Sequence, residues 1–174
     1  MKMDKVAGSG NDEFYTPYYA IEPLIKYLKD KQFKKIICPF DTKESRIYKK
    51  LIQEGFDVTQ SHLDEGADFF DVDLSQYDCV VSNPPYSIKA DVLERLFDSK
   101  VPFAMLLGVV GLFESQRRFN MFKSNDFEIM YLNKRVSYHI DFETEKTALN
   151  PPFSSVWLCS GVLNNRIVFE EIFK

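Results

Sequence analysis

Short apolar runs alternate with stretches of helical period along most of this 174-residue chain, and that alternation restricts the fold more than any other feature. The apolar runs are "KKIICPF" at 34–40, "FDVTQSHL" at 56–63, "YDCVVS" at 77–82 and "PFAMLLGVV" at 102–110. Between and before them lie helical patterns. "AIEPLIKYLKD" sets Ile21, Leu24, Ile25 and Leu28 on one face, with Pro23 expected in the first turn, where its missing N–H costs nothing. "ESRIYKKLIQEG" aligns Ile47, Tyr48, Leu51 and Ile52 and closes at Gly55. "IKADVLERLFDS" aligns Ile88, Val92, Leu93, Leu96 and Phe97, and "ESQRRFNMFK" supplies a fourth helix. Beyond about residue 125 two strands are expected in succession, "FEIMYLNKRVSYHI" and "SSVWLCSGVL", separated by a polar loop. Strands joined through helices must run parallel, and the closing pair needs an antiparallel member. The expected fold is therefore α/β of Rossmann type, a mostly parallel open sheet with an antiparallel strand near the C-terminus. Ligands of such sheets bind beyond the carboxyl ends of the strands.

The length suits a single domain over residues 1–174, with the polar residues 1–12 expected to be loose. Hydrophobic residues make up 45% and charged residues 28%, an ordinary globular balance. Cys38, Cys79 and Cys159 each sit in an apolar run, which fits buried thiols in a reducing compartment better than a disulfide frame. His62 and His139 have no metal-ligand spacing, so no metal is expected. Without an 18-residue apolar stretch or a signal-type N-terminus, the expectation is a cytoplasmic protein with no membrane partner. A net charge of −4 argues against nucleic-acid binding by bulk charge, though not by a local basic patch.

"YDCVVS" ends abruptly in Asn83-Pro84-Pro85-Tyr86, at the carboxyl end of a strand. The exocyclic amine of adenine is a poor nucleophile because its lone pair is delocalised into the ring. The Asn83 side-chain carbonyl and the Pro84 backbone carbonyl can each accept one of its N–H groups and turn that lone pair towards an electrophile. Tyr86 can stack on the base, a contact worth about 1–3 kcal/mol in single-strand recognition. The two prolines fix the backbone in advance, so little reorganisation is left for the reaction step. The bland alternative is a stiff turn. A second copy, Asn150-Pro151-Pro152-Phe153, follows the polar loop and opens the last expected strand. It reads most simply as a loop-to-strand stop, but an antiparallel strand would bring Phe153 to the same edge as Asn83.

A strand followed by Asn-Pro-Pro-Tyr and a helix resembles motif IV of the S-adenosylmethionine (SAM) dependent N6-adenine DNA methyltransferases. "DEFYTP" at 12–17 is similar to the motif X element of that family, which implies that Tyr15, Thr16 and Pro17 lie against the methionine end of SAM. "GADFFDVD" resembles the motif III region, which implies that Asp68 accepts from the adenine N6 of SAM while Phe69 packs on its ring. As a plain sequence, Tyr15-Thr16-Pro17 is also a helix cap and Asp68 a turn cap. The layout is also similar to small phage-encoded adenine methyltransferases. After the first strand the family pattern is an acid, Pro-Phe, and two spaced glycines; here "CPFDTKES" keeps Pro39 and Phe40. Cys38 stands in the place of the acid, and Thr42 and Glu44 in those of the glycines, where they are expected to crowd the methionine moiety. His62 occupies the slot of the ribose-binding acid, with Asp64 two residues on.

The resemblance implies methyl transfer to adenine in DNA, with SAM as cofactor and Asn83, Pro84, Pro85 and Tyr86 as the catalytic segment. DNA is expected ahead of RNA. Arg117 and Arg118 are candidate phosphate contacts beside Phe153 on the substrate side. The expected core takes up nearly all 174 residues, so no separate recognition domain is expected among them, and the loops at 139–152 and around 108–118 are the candidates for reading bases. Weak sequence specificity, a partner protein or a homo-oligomer is expected, and a flipped or single-stranded adenine suits the pocket. Two alternatives stay open: a catalytically silent nucleic-acid or protein-binding module, and methylation of RNA adenine or of a protein glutamine.

Overall fold

The computed structural model describes residues 15–139, 147–149 and 151–174. Among them are helices α1 (Tyr18–Asp30), α2 (Arg46–Gln53), α3 (Lys89–Ser99) and α4 (Gln116–Ser124). The strands are β1 (Lys35–Cys38), β2 (Asp57–Gln60), β3 (Cys79–Ser82), β4 (Phe103–Gly108), β5 (Glu128–Leu132), β6 (Tyr138–His139), β7 (Thr147–Leu149), β8 (Ser155–Ser160) and β9 (Ile167–Glu170). Seven of them form one sheet in the order β2-β1-β3-β4-β8-β5-β9, and β6 pairs with β7 in a separate ribbon. The chain is α/β with a mixed, mostly parallel sheet, compatible with a Rossmann-like arrangement.

Burial follows strand position. The central strands β3 and β4 are buried at every residue and β8 at all but its last, because helices cover both faces. The edge strand β2 alternates exposed with half-buried positions instead. One core layer joins the α1 residues Ile21, Leu24 and Leu28 and the α2 residues Ile47 and Leu51 to Ile36, Val81, Leu106 and Trp157 of the sheet. The opposite layer joins Val92, Leu93, Leu96 and Phe97 of α3 to Ile37, Val80, Met105 and Leu158. Trp157 is fully buried, and its indole N–H donates to the Ala20 carbonyl at 2.9 Å, so the heaviest side chain of β8 also satisfies its own polar atom.

Three sequence expectations change. The first helix begins at Tyr18, so Pro23 lies inside it, buried against the core, beyond the first turn. The ring removes the N–H that would have bonded to the Tyr19 carbonyl, a local cost outweighed by apolar burial. The single long run 127–140 is broken into β5 and β6 by the segment 133–137, and β6 leaves the main sheet. β9 was not anticipated; it pairs parallel to β5 from Ile129↔Ile167 to Leu132↔Glu170. The antiparallel member is β8, inserted between β4 and β5 with Phe103↔Ser160 to Gly108↔Ser155 in register. Residues 1–12 and Asn150 lie outside the described residues. Among the described residues, no helix is long and apolar enough to cross a membrane.

Candidate functional site

The chain runs from β1 outward to β2 and then returns to β3 on the other side of β1, so the carboxyl ends of β1 and β3 flank a topological switch point. Asp41 spans it. Its carboxylate accepts from the Ser82 hydroxyl at the end of β3 at 2.7 Å and from the Ser45 hydroxyl at the start of α2. The side chain is only 8% exposed, and charge-assisted bonds of this type repay burial of the carboxylate. Ser61 adds a second tie: its N–H donates to the Cys38 carbonyl at 3.1 Å and its hydroxyl to the Pro39 carbonyl at 3.2 Å. Burial, with the Asp41 charge adding to it, pushes the Cys38 thiol well above the ordinary range, so this cysteine is neutral.

A cavity of about 320 Å³ opens above this clamp, lined by Pro39, Phe40, Asp41 and Ser45. Its walls come from His62, Leu63 and Asp64 after β2 and from Asp68, Phe69 and Phe70; Tyr15, Thr16, Asn83, Pro85 and Ile88 complete it. The volume falls within the roughly 300–1,000 Å³ of small-molecule sites. Thr42 and Glu44 do not line it, contrary to expectation. The Glu44 carboxylate pairs outward with Lys49 at 2.8 Å, and the Thr42 hydroxyl accepts from the Glu44 N–H at 3.3 Å. The turn thus removes both side chains from the space that glycines would leave open.

Thr16 and Asn83 meet in the cavity wall. The Asn83 amide nitrogen donates to the buried Thr16 hydroxyl at 3.2 Å, which holds the amide in the cavity wall. Thr16 is itself held on both sides. Tyr15 forms an antiparallel bridge with His139, whose N–H donates to the Tyr15 carbonyl at 2.9 Å. Pro17 is the N-cap of α1 and is buried outside the cavity lining. The segment therefore both starts the helix and walls the pocket. Asp68 likewise has two positions to fill: its carboxylate accepts from the Phe70 N–H at 3.0 Å as a turn cap while lining the cavity. Phe69, 2% exposed, packs its ring 5.0 Å from Phe40 with the Arg95 guanidinium 5.3 Å from its centroid.

Pro84 is buried beneath the turn, and Tyr86 opens the short 3-10 turn Tyr86–Ile88 that leads into α3. The aromatic residues that follow the two Pro-Pro pairs meet here. The Phe153 ring stands edge-on to Tyr86 with centroids 5.5 Å apart and planes at 74°. Both rings lie over Gly108, the last residue of β4. The Lys89 ammonium is 6.0 Å from the Tyr86 centroid and donates to the Val110 carbonyl at 3.3 Å. Burial first, then the Arg118 charge, holds its pKa below that of an ordinary lysine.

The two arginines singled out from the sequence lie elsewhere. Arg117 pairs with Asp91 at 2.8 Å and Glu94 at 2.5 Å on α3, and Arg118 donates to the Leu112 carbonyl at 3.0 Å and the Gly111 carbonyl at 2.5 Å. Neither lines the cavity. Arg118 instead shapes the loop after β4 that carries Val110. A wider open groove of about 770 Å³ runs beside α3; its lining sets Asp73, Asp91, Glu94 and Asp98 against Arg95, so it is acidic overall. Asp41 and Ser45 were missed. The signal available for them was an acid and a serine four residues apart, between the first strand and the second helix. Among the described residues no cluster of three or more potential metal ligands occurs. No family model matches the chain, and no curated protein matches it.

Proposed function

We propose that this chain transfers a methyl group from SAM to the exocyclic N6 amine of adenine in DNA. The observation that carries the reading is a single cavity lined by Phe40 and Asp41 beyond β1 and by Asn83 beyond β3, with Thr16 orienting the Asn83 amide. Its donor set fits the cofactor. Asp41 offers a buried carboxylate for an ammonium, Asp68 an acceptor for an aromatic amine, and Phe40, Phe69 and Tyr15 apolar walls. The outward turn of Glu44 removes the charge that would oppose the methionine carboxylate. When bound, SAM supplies an electrophilic methyl on a cationic sulfur; the amine takes it, the sulfur is left as a neutral thioether, and the amine sheds a proton to solvent.

The chain's own contribution is orientation. With its nitrogen donating to Thr16, the Asn83 amide presents its carbonyl oxygen as acceptor for one amine proton. Pro84 itself is outside the cavity lining, so in this reading its carbonyl accepts the other only from an adenine seated against the Asn83–Pro85 turn, and no strong base is then required. The aromatic pair Tyr86–Phe153, outside the cavity lining and edge-on to each other, offers the base an apolar corner. Sequence readout is slight, and DNA with an unpaired or flipped adenine is the preferred acceptor.

Radiolabelled SAM incubated with DNA, RNA and protein fractions tests the acceptor. Label in N6-methyladenine of DNA is expected, whereas label confined to RNA or to glutamine replaces the acceptor but keeps the chemistry. Calorimetry with SAM and its demethylated product comes first, because no heat with either leaves only a silent binding module. Asn83→Ala is expected to abolish transfer while SAM affinity changes by less than about tenfold, and full turnover in that variant ends the mechanism.

A further inference from the structure

β9 is the outermost strand of the sheet, and its exposed face is apolar. Ile167 is 58% and Phe169 77% exposed, and the Tyr131 ring, 53% exposed, lies 5.8 Å from that of Phe169. The opposite edge is managed in the ordinary way: β2 places Asp57 and Thr59 at its exposed positions. β9 has no charge on its exposed face. Its backbone is also poised for pairing. The Arg166 and Glu170 carbonyls accept from Ile129 and Asn133 N–H groups on the β5 side. By the period of two along a strand, the N–H and C=O groups of Ile167 and Phe169 point to the open edge.

We propose that β9 pairs antiparallel with β9 of a second copy of this chain, centred on Val168. Three observations select that register. Only residues with outward backbone groups can exchange both N–H···O bonds, and a centre on Val168 sets Ile167 opposite Phe169 of the second copy, and the reverse. Those same pairs bring the exposed apolar side chains together across the strands, where aromatic and β-branched neighbours stabilise a sheet. On the other face Arg166, exposed in the single chain, falls opposite Glu170 of the second copy. Glu170 holds the Lys26 ammonium and the Tyr27 hydroxyl, each at 2.6 Å, through Oε1, so Oε2 is the atom that would meet Arg166. Centres on Ile167 or Phe169 lose this complementarity, setting Phe169 opposite Asn165 or Ile167 opposite Glu171. The product is one sheet continuous through both copies. β1, β3, β4, β5 and β9 run in one direction, so the two cavities open on opposite edges of that sheet.

Sedimentation equilibrium of the full chain tests the pairing. A dimer is expected at tens of micromolar. Ile167→Pro deletes one outward N–H at the first residue of an edge strand, a position that tolerates proline, without touching the ladder to β5. Phe169→Lys sets a charge at a site exposed enough to leave folding intact. Each is expected to raise the dissociation constant at least about tenfold with the far-ultraviolet dichroism unchanged. A wild-type monomer at that concentration overturns the proposal, as does a dimer that Phe169→Lys leaves as tight as before. The register is read by oxidising a mixture of Ile167→Cys and Phe169→Cys proteins, the three native thiols being buried. A cross-link between the two variants and within neither is expected, and any other pattern overturns the Val168 centre.

Discussion

Replacing Gly108 with alanine puts a methyl carbon 2.7 Å and 2.8 Å from two carbons of the Phe153 ring and 3.2 Å from Tyr86 Cε1. Ordinary carbon contacts begin near about 3.5 Å, so the Phe153 ring must retreat by about 0.8 Å. It has little freedom to do so. Phe153 lies two residues before Ser155, which is paired with Gly108 itself in the β4–β8 ladder. Rotating the ring away breaks its edge-on contact with Tyr86. Overpacking of this kind costs about 1–3 kcal/mol. Alanine returns about 0.5–1 kcal/mol by restricting the unfolded backbone, so a net loss of about 1–2 kcal/mol is expected. In a Phe153→Ala background only the 3.2 Å contact with Tyr86 Cε1 remains, and Gly108→Ala becomes close to neutral. Urea denaturation of the four proteins of this cycle should give a coupling of about 1–3 kcal/mol between the two sites. Additivity within about 0.5 kcal/mol, or stabilisation by Gly108→Ala alone, refutes the packing assigned to the two motifs.

Asp41→Asn removes the charge from two hydroxyl bonds and should lower stability by about 1–3 kcal/mol while weakening SAM binding, read by denaturation and calorimetry; unchanged stability contradicts the clamp. The Asp78 carboxyl is held below the usual range by the Lys35 and then the Lys34 N–H, each 2.8 Å away. Its folded pKa is depressed, so its stabilisation is present above about pH 4 and is lost as pH falls through the folded value. Asp78→Asn should flatten the acid side of the stability–pH curve, and superimposable curves would count against the bond. Burial pushes the thiols of Cys38, Cys79 and Cys159 up, so a thiol reagent at pH 8 should label none of them until the protein is denatured.

Much of the sheet was legible because central strands covered on both faces must be unbroken apolar runs, and Ile36–Cys38, Cys79–Val81 and Phe103–Leu107 are such runs. Asn83-Pro84-Pro85-Tyr86 was legible for a related reason: two prolines cannot continue a strand, so they mark where it ends and what it presents there. β9 was not legible, since "IVFE" is too short to show a period and its half-exposed face depends on lying at the edge. Pro23 misled because burial of α1 tolerates a missing bond that an isolated helix would not. Asp41 escaped because its partner Ser82 is 41 positions away, and no local pattern records such a contact. The turn of Glu44 towards Lys49 was invisible for the opposite reason: the loop's backbone, not its composition, decides where that side chain goes.

The position of β8 bears on how the molecule comes to be made. A segment synthesised after both of its neighbours fills the gap between them, so neither β4 nor β5 can bury the flank facing β8 until residues 155–160 leave the ribosome. Such distant pairing is slow, and it leaves two adhesive borders in the nascent polypeptide. Phe153 arrives with that strand, so the aromatic corner over Gly108 assembles only after β4 and β5 have been made.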